Sequence, residues 1–211
     1  MDLLLADDHV MVREALRRVI EGRGDITVVA EASDGREAVS LARQHSPNVA
    51  VLDLWMPVLS GEEATRQIVS NGCGTRVLIL SMHEEWNHVR RAFEAGASGY
   101  VVKSAASREL LDAIDAVSAG RSYVSPAIAC HVVAASGEER GRTDPLSLLT
   151  PREHEVLQLV SEGLSSKEIA TQLGLSIKTA ESHRTSLMKK LGVRKTSVLV
   201  RLALREGLIA P

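Results

Sequence analysis

The sequence predicts an α/β domain on a five-stranded parallel sheet, followed by a small all-α domain. Three observations predict it. Short apolar runs alternate with amphipathic stretches over the first 120 residues, a polar breaker-rich segment follows, and the remainder carries closely spaced helix starts without strand-like runs. At 211 residues the chain is long enough for two modest cores.

Leu3–Ala6, Thr27–Ala32, Val49–Leu52, Arg76–Leu80 and Gly99–Val102 read as the strands. Their continuous apolar character implies burial on both faces, hence parallel pairing with helices on either side. The intervening helices carry their own start signals. Ser33 or Asp34 can cap the stretch ending near Gln44, Gly61 to Ser70 places Ala64 and Ile68 one turn apart, and Ser107 can cap a helix carrying Leu110, Leu111, Ile114 and Val117. Residues 121–145 read as a linker, breaker-rich from Ser136 to Pro145, with one further helix over Pro126 to Ala135. In residues 146–211, Thr150 with Glu153 and Ser165 with Glu168 both fit a capping box, and Ser176 can cap a third helix.

Charge divides with the domains. Up to Pro145 there are 15 Lys and Arg against 21 Asp and Glu, and beyond it 10 against 6. The basic C-terminal part suits a polyanion and the acidic part suits a cation. With aromatic residues at 2%, base stacking on an aromatic platform is disfavoured as the binding mode. No apolar run reaches the roughly 20 residues of a membrane span, and the N-terminus lacks a basic flank, so a cytoplasmic chain without membrane contact is expected. Cys73 and Cys130 lack metal-site or redox spacing and read as inert.

In a flavodoxin-like strand order of 2-1-3-4-5, the carboxyl edge gathers residues distant in sequence. Asp7 and Asp8 follow the first strand and Asp53 the third, flanking the point where strand order reverses. Clustered carboxylates repel one another unless neutralised, and an all-oxygen set suits Mg²⁺. Ser81 and Lys103 close the fourth and fifth strands at the same edge. A carboxylate nucleophile, a cation, an ammonium and a hydroxyl are the parts of a phosphoryl site. Taken singly, each residue also suits a solvated or structural role; the joint placement is the specific signal.

These residues carry a family resemblance. Residues 1 to about 120 resemble receiver domains of two-component systems, through Leu5-Ala6-Asp7-Asp8-His9, Val51-Leu52-Asp53-Leu54-Trp55-Met56-Pro57, Gly61, Leu80-Ser81-Met82-His83, Gly96-Ala97 and Gly99-Tyr100-Val101-Val102-Lys103. The resemblance implies that Asp53 accepts phosphate from a histidine kinase and that Asp7, Asp8 and Asp53 hold Mg²⁺. It further implies that Lys103 pairs with the phosphoryl group, that Ser81 binds it on activation and that Tyr100 is the rotameric switch partner. Trp55 and His83 fall where such domains tune dephosphorylation, and each also suits a surface loop. Many receivers follow the lysine with a cis proline. This chain has Ser104, for which a trans bond or a strained turn is expected.

In the C-terminal domain, Ser176 starts a helix with Ile177, Ala180, Leu187 and Leu191 inward and Lys178, Thr179, Glu181, Ser182, Arg184 and Thr185 outward. That mixture of polar readers and cations suits a helix-turn-helix recognition helix, with Lys189 and Lys190 reaching phosphates and Glu181 able to accept from cytosine; a solvated polar face has the same periodicity. Leu149-Thr150-Pro151-Arg152-Glu153, Ser176 to Arg184 and Lys190-Leu191-Gly192-Val193 resemble a LuxR-type DNA-binding domain. The two domains together resemble the NarL/FixJ group of response regulators. That resemblance implies a non-enzymatic transcription regulator that binds double-stranded DNA as a homodimer. Val198, Leu199, Leu202 and Ala203 can supply the dimer surface or finish the core. A phosphatase with an aspartyl nucleophile and a ligand-sensing LuxR-type regulator are the competing readings. Trp55 stands where such phosphatases carry a second acid, and the acid cluster argues against the ligand sensor.

Overall fold

A computed structural model describes residues 1–105, 107–128 and 145–205. It divides into two compact units, Met1–Glu139 and Arg140–Pro211.

In the first unit, strands β1 (Asp2–Ala6), β2 (Thr27–Ala32), β3 (Val49–Asp53), β4 (Arg76–Ser81), β5 (Gly99–Val102) and β6 (Tyr123–Val124) form one parallel sheet in the order β2-β1-β3-β4-β5-β6. Side chains alternate between its faces. Leu3, Leu5, Val49, Val51, Leu78 and Leu80 meet Ile20 of α1 (Val10–Glu21) and Leu110, Ile114 and Val117 of α5 (Ser107–Ser118). Leu4, Leu52 and Ile79 point the other way, onto Ala38 of α2 (Gly35–His45), Ile68 of α3 (Gly61–Ser70) and Val89 of α4 (Trp86–Glu94). Burial on both faces accounts for strands that read as unbroken apolar runs.

The sheet has six strands where the sequence suggests five. Gly120, with φ 79°, reverses the chain after α5, and Tyr123 and Val124 then pair with Gly99 and Tyr100. A two-residue strand is too short to leave an alternation pattern. The Ser125 hydroxyl also accepts from Val102 N at 3.1 Å, and Ile128 is buried in the core, so chain assigned to the linker contributes to this unit as far as residue 128. The rest of the helix expected over Pro126 to Ala135, like Cys130, lies outside the described residues.

Local start signals behave as their chemistry requires. Asp34, rather than Ser33, caps α2 by accepting from Glu37 N at 2.8 Å. Ser107 is the first residue of α5 instead of its cap. In the second unit a 3₁₀ turn (Pro145–Leu148) leads into α6 (Pro151–Ser161), α7 (Ser166–Leu173), α8 (Ile177–Lys190) and α9 (Thr196–Arg205). Thr150 with Glu153 and Ser165 with Glu168 form complete capping boxes, and Ser176 accepts from Thr179 N at 3.1 Å. Gly174, at φ 64°, makes the turn between α7 and α8.

Candidate functional site

Parallel pairing brings the carboxyl ends of the strands to one edge. Ala6 is level with Leu52, Asp53 with Leu80, and Ser81 with Val102, so Asp7, Asp8, Asp53, Ser81 and Lys103 converge there as expected. The approach is close: a Cβ on Gly61 would lie 2.0 Å from the Asp53 carbonyl oxygen, so only glycine lets α3 begin against the end of β3.

Lys103 is the hinge of the electrostatics. Its Nζ lies 2.7 Å from Oδ2 of Asp53, to which it donates, and 2.7 Å from Oδ2 of Asp7. Among the described residues that ammonium is the partner of the buried Asp7 Oδ2, so one cation serves both acids. Asp7 Oδ1 accepts from His9 N at 2.9 Å, while Arg13 Nη1 donates to the Asp7 carbonyl at 2.6 Å. Burial pushes the Asp53 carboxyl above the usual carboxylate range, with Asp7 adding to it and Lys103 opposing. Burial also acts to discharge Lys103, but Asp53, and then Asp7, hold its ammonium above the ordinary lysine value.

Oxygen or nitrogen donors of Asp7, Asp8, His9 and Asp53 lie within 4.8 Å of one another. Three carboxylates against the single Lys103 ammonium leave net negative charge in an all-oxygen pocket, which fits a hard divalent cation such as Mg²⁺. Sequence reasoning missed His9, whose Nδ1 is 2.6 Å from Asp8 Oδ1, and Val58, whose φ of 69° strains the loop after β3. Position alone, one residue past an acid pair, was the available signal for His9.

Ser81 is buried, and its Oγ accepts from His83 N at 3.1 Å. Tyr100 is turned inward and donates its hydroxyl to the His83 carbonyl at 2.9 Å. Trp55 packs on His83, with ring centroids 3.9 Å apart. The Lys103–Ser104 peptide is trans, and Ser104 is not among the residues with positive φ.

In the second unit, Lys178, Thr179, Glu181, Ser182, Thr185 and Lys189 of α8 are exposed. Arg184 is half-buried and donates to Thr196 Oγ1 at 2.7 Å. Lys190 donates to the buried Glu153 carboxylate at 2.6 Å, which ties it to the helical core. Two expectations are corrected. Ile177, placed inward by periodicity, is 49% exposed because it sits in the first turn, ahead of the packed stretch that starts at Ala180. Leu199 and Ala203 are fully buried in the domain core and present no surface; Val198 and Leu202 are half-buried.

A parallel sheet with an acid-lysine pocket at its carboxyl edge, joined to a helix-turn-helix, defines a phosphorylation-controlled DNA-binding regulator. The chain belongs to the two-component response regulators: residues 3–115 match the response regulator receiver domain and residues 147–203 match the luxR family of bacterial regulatory proteins. It is 36% identical over 215 residues to the oxygen regulatory protein NreC of Staphylococcus carnosus, covering 99% of each chain. Among solved structures it is similar to a LuxR-family response regulator from Aurantimonas sp. SI85-9A1, with 46% identity, a TM-score of 0.63, and coverage of 65% of this chain and 98% of that one. It is also similar to the response regulator RcsB in complex with DNA, with 26% identity, a TM-score of 0.61, and coverage of 97% and 98%.

Proposed function

We propose that Asp53 is the phosphoacceptor of this regulator, supplied by a sensor histidine kinase. The observation that carries this reading is the Lys103 ammonium 2.7 Å from Oδ2 of both Asp7 and Asp53. It marks where charge on a transferred phosphoryl group would be offset. An Asp53 carboxylate oxygen attacks phosphorus as the bond to the kinase histidine nitrogen breaks, and the imidazole leaves with the electron pair. Lys103 stabilises the phosphoryl oxygens. Asp7, Asp8 and Asp53 would hold Mg²⁺, which supplies charge neutralisation at the reacting oxygens. The Ser81 hydroxyl, released from His83 N, donates to the phosphoryl group, and Tyr100 follows the loop. Chemistry is confined to Asp53 itself, with no turnover of free substrate.

On the DNA side, α8 is the recognition helix of a cytoplasmic regulator that binds duplex DNA as a homodimer. Lys178, Thr179, Glu181, Ser182 and Thr185 face the groove, and Lys189 reaches a phosphate. Solution of the similar RcsB as a DNA complex supports this reading. Val198 and Leu202 are what remains of the dimer surface. The test is intact mass after incubation with acetyl phosphate and Mg²⁺. One phosphoryl adduct, absent from Asp53→Ala, supports the assignment; an adduct retained in the variant, or none in the native protein, overturns it.

A further inference from the structure

We propose that His83, Glu85 and His88 form a second metal site, for a borderline transition ion of the Zn²⁺ class, on the loop leading from Ser81 into α4. Nothing in the phosphoryl chemistry above uses Glu85 or His88. One ligand atom from each of the three lies within 4.8 Å of the others, so a small side-chain rotation brings all three onto a single ion. The arrangement is local. His83 and Glu85 sit in the loop after β4, and His88 is in the first turn of α4.

Packing already fixes the donors. Trp55 lies against His83 at 3.9 Å and edge-on to His88 at 6.0 Å between ring centroids, and the two imidazoles are 5.2 Å apart. The Glu85 carboxylate is 3.4 Å from His83 Nδ1. The ordinary alternative is a surface His–Glu pair beside an aromatic contact. That alternative does not require His88 to turn toward the same point.

Donor chemistry separates this site from the acidic pocket. Two imidazoles and one carboxylate favour Zn²⁺, Cu²⁺ or Ni²⁺, whereas three carboxylates favour Mg²⁺. Three protein ligands leave a coordination position open to water. The site also touches the switch through His83, whose N donates to Ser81 Oγ and whose carbonyl accepts from Tyr100. A bound ion would hold this loop where Ser81 is engaged by His83.

The test is calorimetric titration of the full chain, free of any affinity tag, with Zn²⁺ in excess Mg²⁺ so that the acidic pocket is saturated. The expected result is one Zn²⁺ per chain. His83→Ala, which keeps the backbone hydrogen bonds, and His88→Gln should each weaken binding by at least the roughly 10- to 100-fold that losing even a supporting group costs a metal site. Glu85→Gln should weaken it, and His9→Gln should leave it unchanged. Co²⁺ gives a second readout: visible absorption in the native chain that is lost in His83→Ala. Absence of Zn²⁺ binding, binding undiminished in His83→Ala, or binding lost in His9→Gln would each overturn the site. Acetyl phosphate labelling of Asp53 in buffer with Mg²⁺ and no transition metal is independent of all these outcomes.

Discussion

Replacing Lys103 with methionine keeps the unbranched stem and removes only the charge. In the native protein this ammonium is shared by Asp7 and Asp53 at 2.7 Å each, with side chains 1% and 8% exposed. Its loss leaves two buried carboxylates facing each other, and breaking a buried pair from one side costs about 3–5 kcal/mol. Both tryptophans, Trp55 and Trp86, lie in the first unit, so urea unfolding followed by their fluorescence reports that unit separately. With a denaturant slope of about 2 kcal/mol/M, the midpoint should fall by roughly 1.5–2.5 M at pH 7 in the absence of divalent ions. Asp53 is already held above its ordinary value of 3.8, and without Lys103 it rises further. A carboxyl raised in the folded state costs stability above its folded pKa and none once it is protonated, so the deficit should shrink as pH falls. Mg²⁺ should shrink it too. A ligand at 100 times its Kd adds about 2.7 kcal/mol, and the variant, with no ammonium competing for the same oxygens, gains more than the native chain. A variant as stable as the native protein, or a deficit indifferent to both Mg²⁺ and pH, would refute this account of the pocket.

Three further outcomes are expected. Glu153 is 3% exposed; burial raises its carboxyl, but Lys190, Thr150 and Ser186 together outweigh that and lower it to about 2. Its contribution is therefore present above about pH 4.5 and lost as pH falls toward 2, and Glu153→Gln should destabilise the second unit by about 2 kcal/mol in circular-dichroism melts. Leu187 is fully buried in α8 and Ile177 half-exposed in the same helix, so Leu187→Ala should cost about 2–5 kcal/mol and Ile177→Ala less than about 1 kcal/mol. Lys189 is exposed, so Lys189→Ala should weaken DNA binding about equally across sequences and reduce the slope of log K against log salt by about 0.9, measured by fluorescence anisotropy.

Local chemistry was sufficient for much of this protein. Buried strands must be apolar and capping boxes need an acid three residues after a hydroxyl, so β1 to β5, Thr150–Glu153, Ser165–Glu168 and the gathering of Asp7, Asp8, Asp53, Ser81 and Lys103 at one sheet edge were legible from one-dimensional pattern. The sixth strand was not, because two residues carry no period and their pairing depends on where Gly120 sends the chain. Periodicity separates two faces of a helix but not which turn is covered, and so Ile177 lies exposed while Leu199 and Ala203 fill the core. Side-chain partnership was likewise decided in three dimensions. Lys190 is held by an acid 37 residues away, Lys103 bridges two acids rather than one, and His83, Glu85 and His88 converge against Trp55, a residue from a different strand end. A sequence records which groups a chain owns and the spacing along it; distances between groups on different elements arise only when the sheet and helices pack.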